Sequence, residues 1–292
     1  MTDRDLAADV SAFDRLMQHQ RRLGRRILPT FIGIGPGRAG SSSLFRLLSA
    51  HPEVHMAPVK EINFFGFRAA NPKARRPGMT RQEYATFFLG GETARAVGEI
   101  SPSYFILPEA ITEIRDLLPD CKLICGLRNP LERLLSHYAF HRAQHRHESF
   151  DTFVASARAD FSRRNDPAWR HQWARPVRIL ASSLYADTVT SCLATFGAQS
   201  FFLYRFEDFV AGPTVADALL AFLGLSPLGH APEPSNASGP LAVGETISGE
   251  HFAWLCEVLR TDLAALEDTG VLACPDYHEL DAAAHRAGLR VV

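Results

Sequence analysis

Cysteine is scarce and poorly placed for cross-linking. The five cysteines, Cys121, Cys125, Cys192, Cys256 and Cys274, are odd in number and form no C-x-x-C pair. That argues against a disulfide framework or a thiolate metal site, and Cys121 and Cys125, flanking Leu123, read as small core residues. No apolar run reaches the ~18 residues that a membrane span needs. The first residues carry Asp3, Arg4, Asp5 and Asp9 rather than an apolar leader, so a reducing, cytoplasmic compartment is the expectation. Neither sign of charge dominates: 31 Lys and Arg face 32 Asp and Glu, for a net charge of −1. No global field therefore draws in nucleic acid or an anionic membrane, and any anion site must be local. Internal repeats and low-complexity tracts are also absent.

What the chain does have is Gly35-Pro-Gly-Arg-Ala-Gly-Ser-Ser42, directly after the apolar run Phe31-Ile-Gly-Ile34. A strand, a glycine-rich turn and a helix starting near Ser41 would aim backbone N–H groups and a helix dipole at an anion. The spacing is that of a phosphate-binding loop, but Ser41 stands where a nucleotide triphosphatase carries lysine, and the positive charge sits at Arg38.

With 292 residues, 46% of them apolar, the chain can bury a large core. Strand and helix patterns alternate along it. Strands are expected at 31–35, 97–100, 122–127 and 200–206, and helices at 41–50, 108–118, 130–144 and 214–223, with Gly224 closing the last. This alternation implies an α/β fold with a mainly parallel sheet covered on both faces. Leu6, Val10, Phe13 and Met17 give an N-terminal amphipathic helix within residues 1–30, ending in Arg21, Arg22, Arg25 and Arg26. Residues 31–292 then form a single domain with a C-terminal helical part, 249–292. Segments 66–80, 145–178 and 226–248 read as loops that would choose the acceptor of any transfer reaction.

Three readings compete for the loop. A kinase or NTPase would need a lysine at Ser41 and a strand-terminal aspartate, but the strand 122–127 ends in Arg128-Asn129-Pro130. A dinucleotide enzyme using NAD would fit the glycines 35, 37 and 40, yet no acidic residue ends a second strand near 55, and Tyr185 has Val189 rather than lysine four residues on. A nucleotide with a 3′-phosphate would want a second cationic, hydroxyl-bearing site, which Arg128 and Ser136 offer.

Several ordered segments carry a resemblance: Gly35–Leu44, His51-Pro52, Lys60-Glu-Ile-Asn-Phe-Phe65, Gly98-Glu-Ile-Ser-Pro-Ser-Tyr-Phe105, Leu127–Tyr138, Tyr204–Phe209 and Phe222–Leu225. Over residues 31–225 the chain resembles sulfotransferases that use 3′-phosphoadenosine 5′-phosphosulfate (PAPS), especially the heparan sulfate (carbohydrate) branch. The resemblance implies a P-loop NTPase-like three-layer fold and transfer of a sulfuryl group to a hydroxyl or amine, leaving adenosine 3′,5′-bisphosphate (PAP), with no metal required. Carried over, Arg38, Ala39, Gly40, Ser41 and Ser42 would hold the 5′-phosphosulfate, and Arg128 and Ser136 the 3′-phosphate. Glu61 would be the catalytic base, with Arg38 and Lys60 beside it in catalysis. Arg38 stands where the heparan enzymes carry lysine, so its role is electrostatic, and Ile100 also replaces a lysine. Glu99, His137 and His141 are candidates for contact with the acceptor. A carbohydrate or glycoconjugate acceptor is the expectation; a small alcohol or phenol, or a non-catalytic PAP sensor, is the alternative. His137, His141 and His145 share a helix face, read as polar rather than metal-binding, and Trp169, His171, Trp173 and Arg175 form an aromatic–basic cluster of open role.

Overall fold

Short apolar runs at regular intervals build the sheet. The computed structural model describes residues 28–66, 78–142, 149–169, 172–230 and 244–292. Its main sheet has five strands: β1 (Phe31–Gly33), β2 (Val54–Met56), β3 (Ala96–Ile100), β4 (Lys122–Leu127) and β5 (Phe201–Arg205). They pair in parallel in the order β2-β3-β1-β4-β5. Every residue of β3 and all but the first of β4 are buried, as both-sided coverage of a parallel sheet requires.

Helices supply that coverage. In chain order they are α1 (Ser41–Ala50), α2 (Arg81–Thr86), α3 (Pro108–Leu117), α4 (Pro130–Arg142), α5 (Phe150–Ala159), α6 (Pro176–Ala181), α7 (Ala186–Phe196), α8 (Phe206–Ala211), α9 (Pro213–Leu223), α10 (Gly249–Glu267) and α11 (Leu280–Ala287). Alternating strand side chains feed two separate cores. Phe31 and Ile124 pack with Leu44 and Leu47 of α1 and Leu219 of α9. Ile32, Leu123 and Cys125 pack instead with Ile114 of α3 and Val189 of α7. A third core lies off the sheet, where Leu134 of α4 meets Phe153 of α5, Leu259 of α10 and Leu280 of α11.

The three-layer α/β architecture is the one the sequence pattern implied, and the expected boundaries of β4 and α1 agree to the residue. Three features correct or extend that reading. Residues 145–178, read as a loop, hold α5 and the start of α6. The signal was present: Phe150, Phe153, Val154 and Ala157 are buried at helical spacing behind the Ser149 cap. Strand β2 was not foreseen, nor was a second, two-stranded parallel sheet of β6 (Thr246–Ile247) and β7 (Arg290–Val291). Strands of two or three residues show no period. The expected N-terminal helix lies largely outside the described residues, as do residues 67–77 and 231–243 of the other two segments. All five cysteines are buried and unpaired. Among the described residues, no helix is long and apolar enough to cross a membrane.

The order β3-β1-β4 places successive connections on opposite sides of β1. In open α/β sheets, the crevice at the carboxyl ends of strands where the order reverses is where ligands bind.

Candidate active site

The loop after β1 turns into α1 through two left-handed residues. Gly40, the N-cap, has φ 84°, and Arg38 has φ 72°. A Cβ on Gly40 would sit 2.4 Å from the Phe206 ring, so glycine is required for both the dihedral and the close approach. No side chain caps α1 and its first turn holds no acidic residue. Its N-terminal end, with the positive end of its dipole, is thus offered to a ligand.

A second wall comes from the carboxyl end of β4. Asn129 caps α4, its Oδ1 accepting from the N–H groups of Leu131 (3.1 Å) and Glu132 (3.2 Å). Beyond that cap, Arg133, Ser136, His137, Phe140 and His141 recur on one face at spacings of three and four. The Nε–H of Arg38 donates to Ser136 Oγ at 3.0 Å, joining the two walls. The Arg38 guanidinium also lies 5.3 Å from the Phe140 ring centre, and that of Arg128 5.4 Å from Phe206.

Arg133 is fully buried beneath this face. It donates to Ser183 Oγ (2.6 Å), the Gly37 carbonyl (3.1 Å) and the Ile179 carbonyl (2.5 Å), so it ties the phosphate loop to α6 and the turn after it. Burial pushes its pKa down to about 10, against the stabilising Tyr185, and the cations Arg128 and Arg38 push the same way. Burial and Arg128 lower Arg38 too. Guanidinium cannot accept, so the 3.0 Å contact between Arg133 and His137 Nδ1 makes that nitrogen the acceptor. The proton of His137 then sits on Nε2, 3.1 Å from His141 Nε2, which accepts it.

The third wall follows β2. Lys60 Nζ lies 2.9 Å from Glu61 Oε1, and the Glu61 side chain is 50% exposed. Glu61 (φ 65°) and Asn63 (φ 55°) are left-handed, and with Arg38 they are the only such non-glycine residues among those described. All three line one cavity of about 580 Å³. Strained backbone gathered around one cavity is a pattern of functional sites.

Of the residues singled out in the sequence, Arg38, Gly40, Ser41, Ser42, Lys60, Glu61, Arg128, Ser136, His137 and His141 all line this cavity. Ala39 is buried and its side chain is off the wall. Glu99, expected to touch the acceptor, is corrected: it is wholly buried beneath the wall, where Tyr84, Ser101 and Tyr104 donate to it. His145, His147 and His171 lie outside the described residues. Trp169 is buried between the guanidiniums of Arg163 (4.0 Å) and Arg175 (4.2 Å), while Trp173 lines the cavity. Phe140, Phe206, Ile106, Arg178 and Ser182 also line it and were not foreseen. Phe206 could have been found, since it directly follows the carboxyl end of β5. Among the described residues, no group of His, Cys, Asp and Glu could hold a metal ion.

A sequence model of the sulfotransferase family matches residues 29–228. The chain is 30% identical over 203 residues to mouse (Mus musculus) heparan sulfate glucosamine 3-O-sulfotransferase 6, covering 69% of this chain and 54% of that protein. It is 34% identical over 116 residues to the membrane-associated sulfotransferase kil1 of Dictyostelium discoideum, covering 39% of this chain and 23% of the relative. The chain thus spans about half or less of these curated relatives. A solved sulfotransferase from Alicyclobacillus acidocaldarius superposes with a TM-score of 0.65 at 28% identity, over 86% of this chain and 98% of the other.

Proposed function

The chain belongs to the sulfotransferase family, and we propose that it moves a sulfuryl group from PAPS to a hydroxyl or amine of a carbohydrate or glycoconjugate acceptor. The observation that carries this reading is the Arg38–Ser136 contact at 3.0 Å. It brings a helix N-terminus and a second arginine–hydroxyl site into one cavity, with room for a nucleotide bearing phosphates at both ends. The residues fit such a ligand. Burial and then the Arg128 charge lower the pKa of Arg38, and burial, Arg128 and Arg38 lower that of Arg133; Arg128 Nε is buried with no acceptor among the described residues. A polyanion is the missing counter-charge.

In this reading Arg128 and Ser136 hold the 3′-phosphate, and the loop from Arg38 to Ser42 holds the 5′ end. Glu61, oriented by Lys60, takes the acceptor proton as the new oxygen–sulfur bond forms. The bond from sulfur to the bridging oxygen breaks, and PAP leaves with the negative charge. Arg38 and the α1 N–H groups face that growing charge without needing to reorganise. A carbohydrate acceptor is supported by the likeness to the mouse heparan sulfate glucosamine 3-O-sulfotransferase and by the aromatic side chains of Phe140 and Trp173 in the wall, which suit stacking on sugar faces. A reducing, cytoplasmic setting belongs to the same proposal, supported by the five unpaired buried cysteines; fractionation of expressing cells tests it.

Calorimetric titration with PAP, AMP, ATP and NAD in EDTA is the test, on the wild type and Arg128→Ala. Tight binding of PAP alone, weakened by Arg128→Ala, is expected and would justify an acceptor screen with PAPS. A preference for NAD, or for ATP once Mg²⁺ is restored, would overturn the reading.

A further inference from the structure

Glu99 is the fourth residue of β3, and its side chain is wholly inside the protein. Its Oε1 accepts from Tyr84 Oη (2.7 Å) and Tyr104 Oη (3.1 Å), and its Oε2 from Ser101 Oγ (2.7 Å). Two of these hydroxyls carry a further load. Ser101 Oγ accepts the N–H of Asn63 at 3.2 Å, and Tyr104 Oη that of Phe64 at 2.8 Å. The Glu61 N–H donates to the Ile100 carbonyl at 3.0 Å. The strained segment that presents Glu61 therefore hangs from the end of β3 and the turn after it by three backbone N–H bonds, two of them governed by Glu99, and by one side-chain bond from Ser103 Oγ to Asn63 Oδ1 at 2.5 Å.

We propose that Glu99 is a positioning residue for the base Glu61: its carboxylate fixes the direction of the Ser101 and Tyr104 hydroxyls, and these hold the left-handed segment 61–64 in its working shape. This rests on the reading of Glu61 as base. A hydroxyl has one hydrogen. While Glu99 is ionised, both hydroxyls give it their hydrogen and turn lone pairs to the Asn63 and Phe64 N–H groups. Protonated Glu99 has a hydrogen of its own to place, and its three partners already point theirs at it. One hydroxyl must then turn, stranding a hydrogen in a dry interior and loosening the segment.

The groups acting on Glu99 are Tyr84 from α2, Ser101 and Tyr104 beyond β3, and the Cys121 thiol ahead of β4. Burial pushes the Glu99 pKa up to about 7, against the three hydroxyl bonds that favour the anion. The Tyr84 and Tyr104 hydroxyls are pushed up by burial and by the Glu99 charge, as is the Cys121 thiol, so none competes for ionisation near neutrality.

The test measures kcat against pH, with PAPS and whichever of a glucosamine oligosaccharide or a simple phenol the screen finds to be sulfated, alongside PAP affinity. Wild-type kcat is expected to fall on the acid side with a midpoint near 7. Glu99→Gln imitates the protonated group at every pH, so its kcat should lie about 10- to 100-fold below the wild-type plateau and lose that limb, with PAP affinity unchanged. Ser101→Ala should lower kcat similarly. Tyr84→Phe removes one bond favouring the anion and touches no segment N–H, so the midpoint should move up with the plateau unchanged. A merely structural Glu99 would lower the melting temperature and leave kcat and the limb in place, which would overturn the proposal. So would an unmoved midpoint in Tyr84→Phe, a variant that serves even if Glu99→Gln fails to fold. Wild-type turnover in Glu61→Gln would instead remove the base assignment on which the proposal rests.

Discussion

At the loop after β1, the groups that face the cavity are backbone N–H groups, a helix end and arginines whose positions follow from eight consecutive residues and one neighbouring helix. At the Lys60–Glu61 end, a half-exposed carboxylate rides on a left-handed segment whose shape is set by hydroxyls and a buried acid from residues 84 to 104. The first plan suits a ligand of fixed charge and shape, because backbone dipoles cost no reorganisation when it arrives. The second suits a proton transfer, in which one oxygen must be aimed and small displacements are expensive. Binding and chemistry are thus built by different means within one cavity, and they should come apart under mutation.

Glu61→Gln should separate them most widely. It removes proton acceptance but keeps size and the neighbouring backbone, so turnover should drop by about 10²–10⁴ while PAP affinity stays at the wild-type value. Calorimetry and single-turnover kinetics on the same preparation check both halves. A parallel loss of PAP affinity would mean that the two ends are not distinct.

The buried acid provides the next contrast, in stability. Its folded pKa of about 7 is raised above the ordinary value of 4.5, so the folded protein keeps a proton that the unfolded chain gives up. The stabilisation from that proton is fully present below the ordinary carboxylate value and is lost as pH rises through about 7. Wild type should therefore lose on the order of 3 kcal/mol from this group across that window, and Glu99→Gln should not. Denaturant unfolding at a series of pH values measures the difference. The ionised form is the costlier one for the fold and the one that holds the Glu61 segment, so activity and stability pull in opposite directions at this residue. A corresponding group in the phosphate loop is not found among the described residues.

The same contrast explains what could be read in the sequence. The phosphate loop, Arg128 with Ser136, and Lys60-Glu61 are local strings in which spacing alone fixes relative geometry, through a glycine turn or successive turns of a helix. Strand β4 was legible as an unbroken apolar run, and helix α1 because its buried Leu44, Leu47 and Leu48 recur at helical spacing behind the glycine turn. Glu99 was placed in the cleft wrongly, since nothing in Gly98-Glu-Ile-Ser says which way a strand side chain points until Tyr84 arrives from α2. Arg133 lies inside a recognised string, yet its burial becomes apparent only when Gly37, Ile179 and Ser183 converge on it.

Arg128→Ala probes the nucleotide end alone. Hydrogen bonds to charged groups contribute about 1.5–3 kcal/mol, so PAP should bind roughly 10- to 150-fold more weakly while AMP, which lacks the 3′-phosphate, is unaffected. Glu132, which pairs with Arg128 at 3.3 Å, keeps its partner Arg286 at 3.0 Å and is not left as an unpaired charge. Equal losses for both nucleotides would assign Arg128 to the other end of the ligand and redraw the site.

The smallest effect asks whether the nucleotide end is self-contained. Helix α4 carries Arg133 and Ser136 in its middle, but its far end is anchored elsewhere: Tyr138 Oη donates to the buried Glu245 at 3.2 Å, and Glu245 also accepts from the Phe150 N–H at 2.9 Å and pairs with Arg142. Tyr138→Phe keeps the ring in its aromatic cluster with Phe150 and Phe153 and leaves Glu245 two partners. It should cost about 0.5–1.5 kcal/mol of stability, with PAP affinity and turnover unchanged. If PAP affinity falls with it, the anchoring of α4 by Glu245 reaches Ser136, and nucleotide binding depends on the helical layer as well as on the loop after β1.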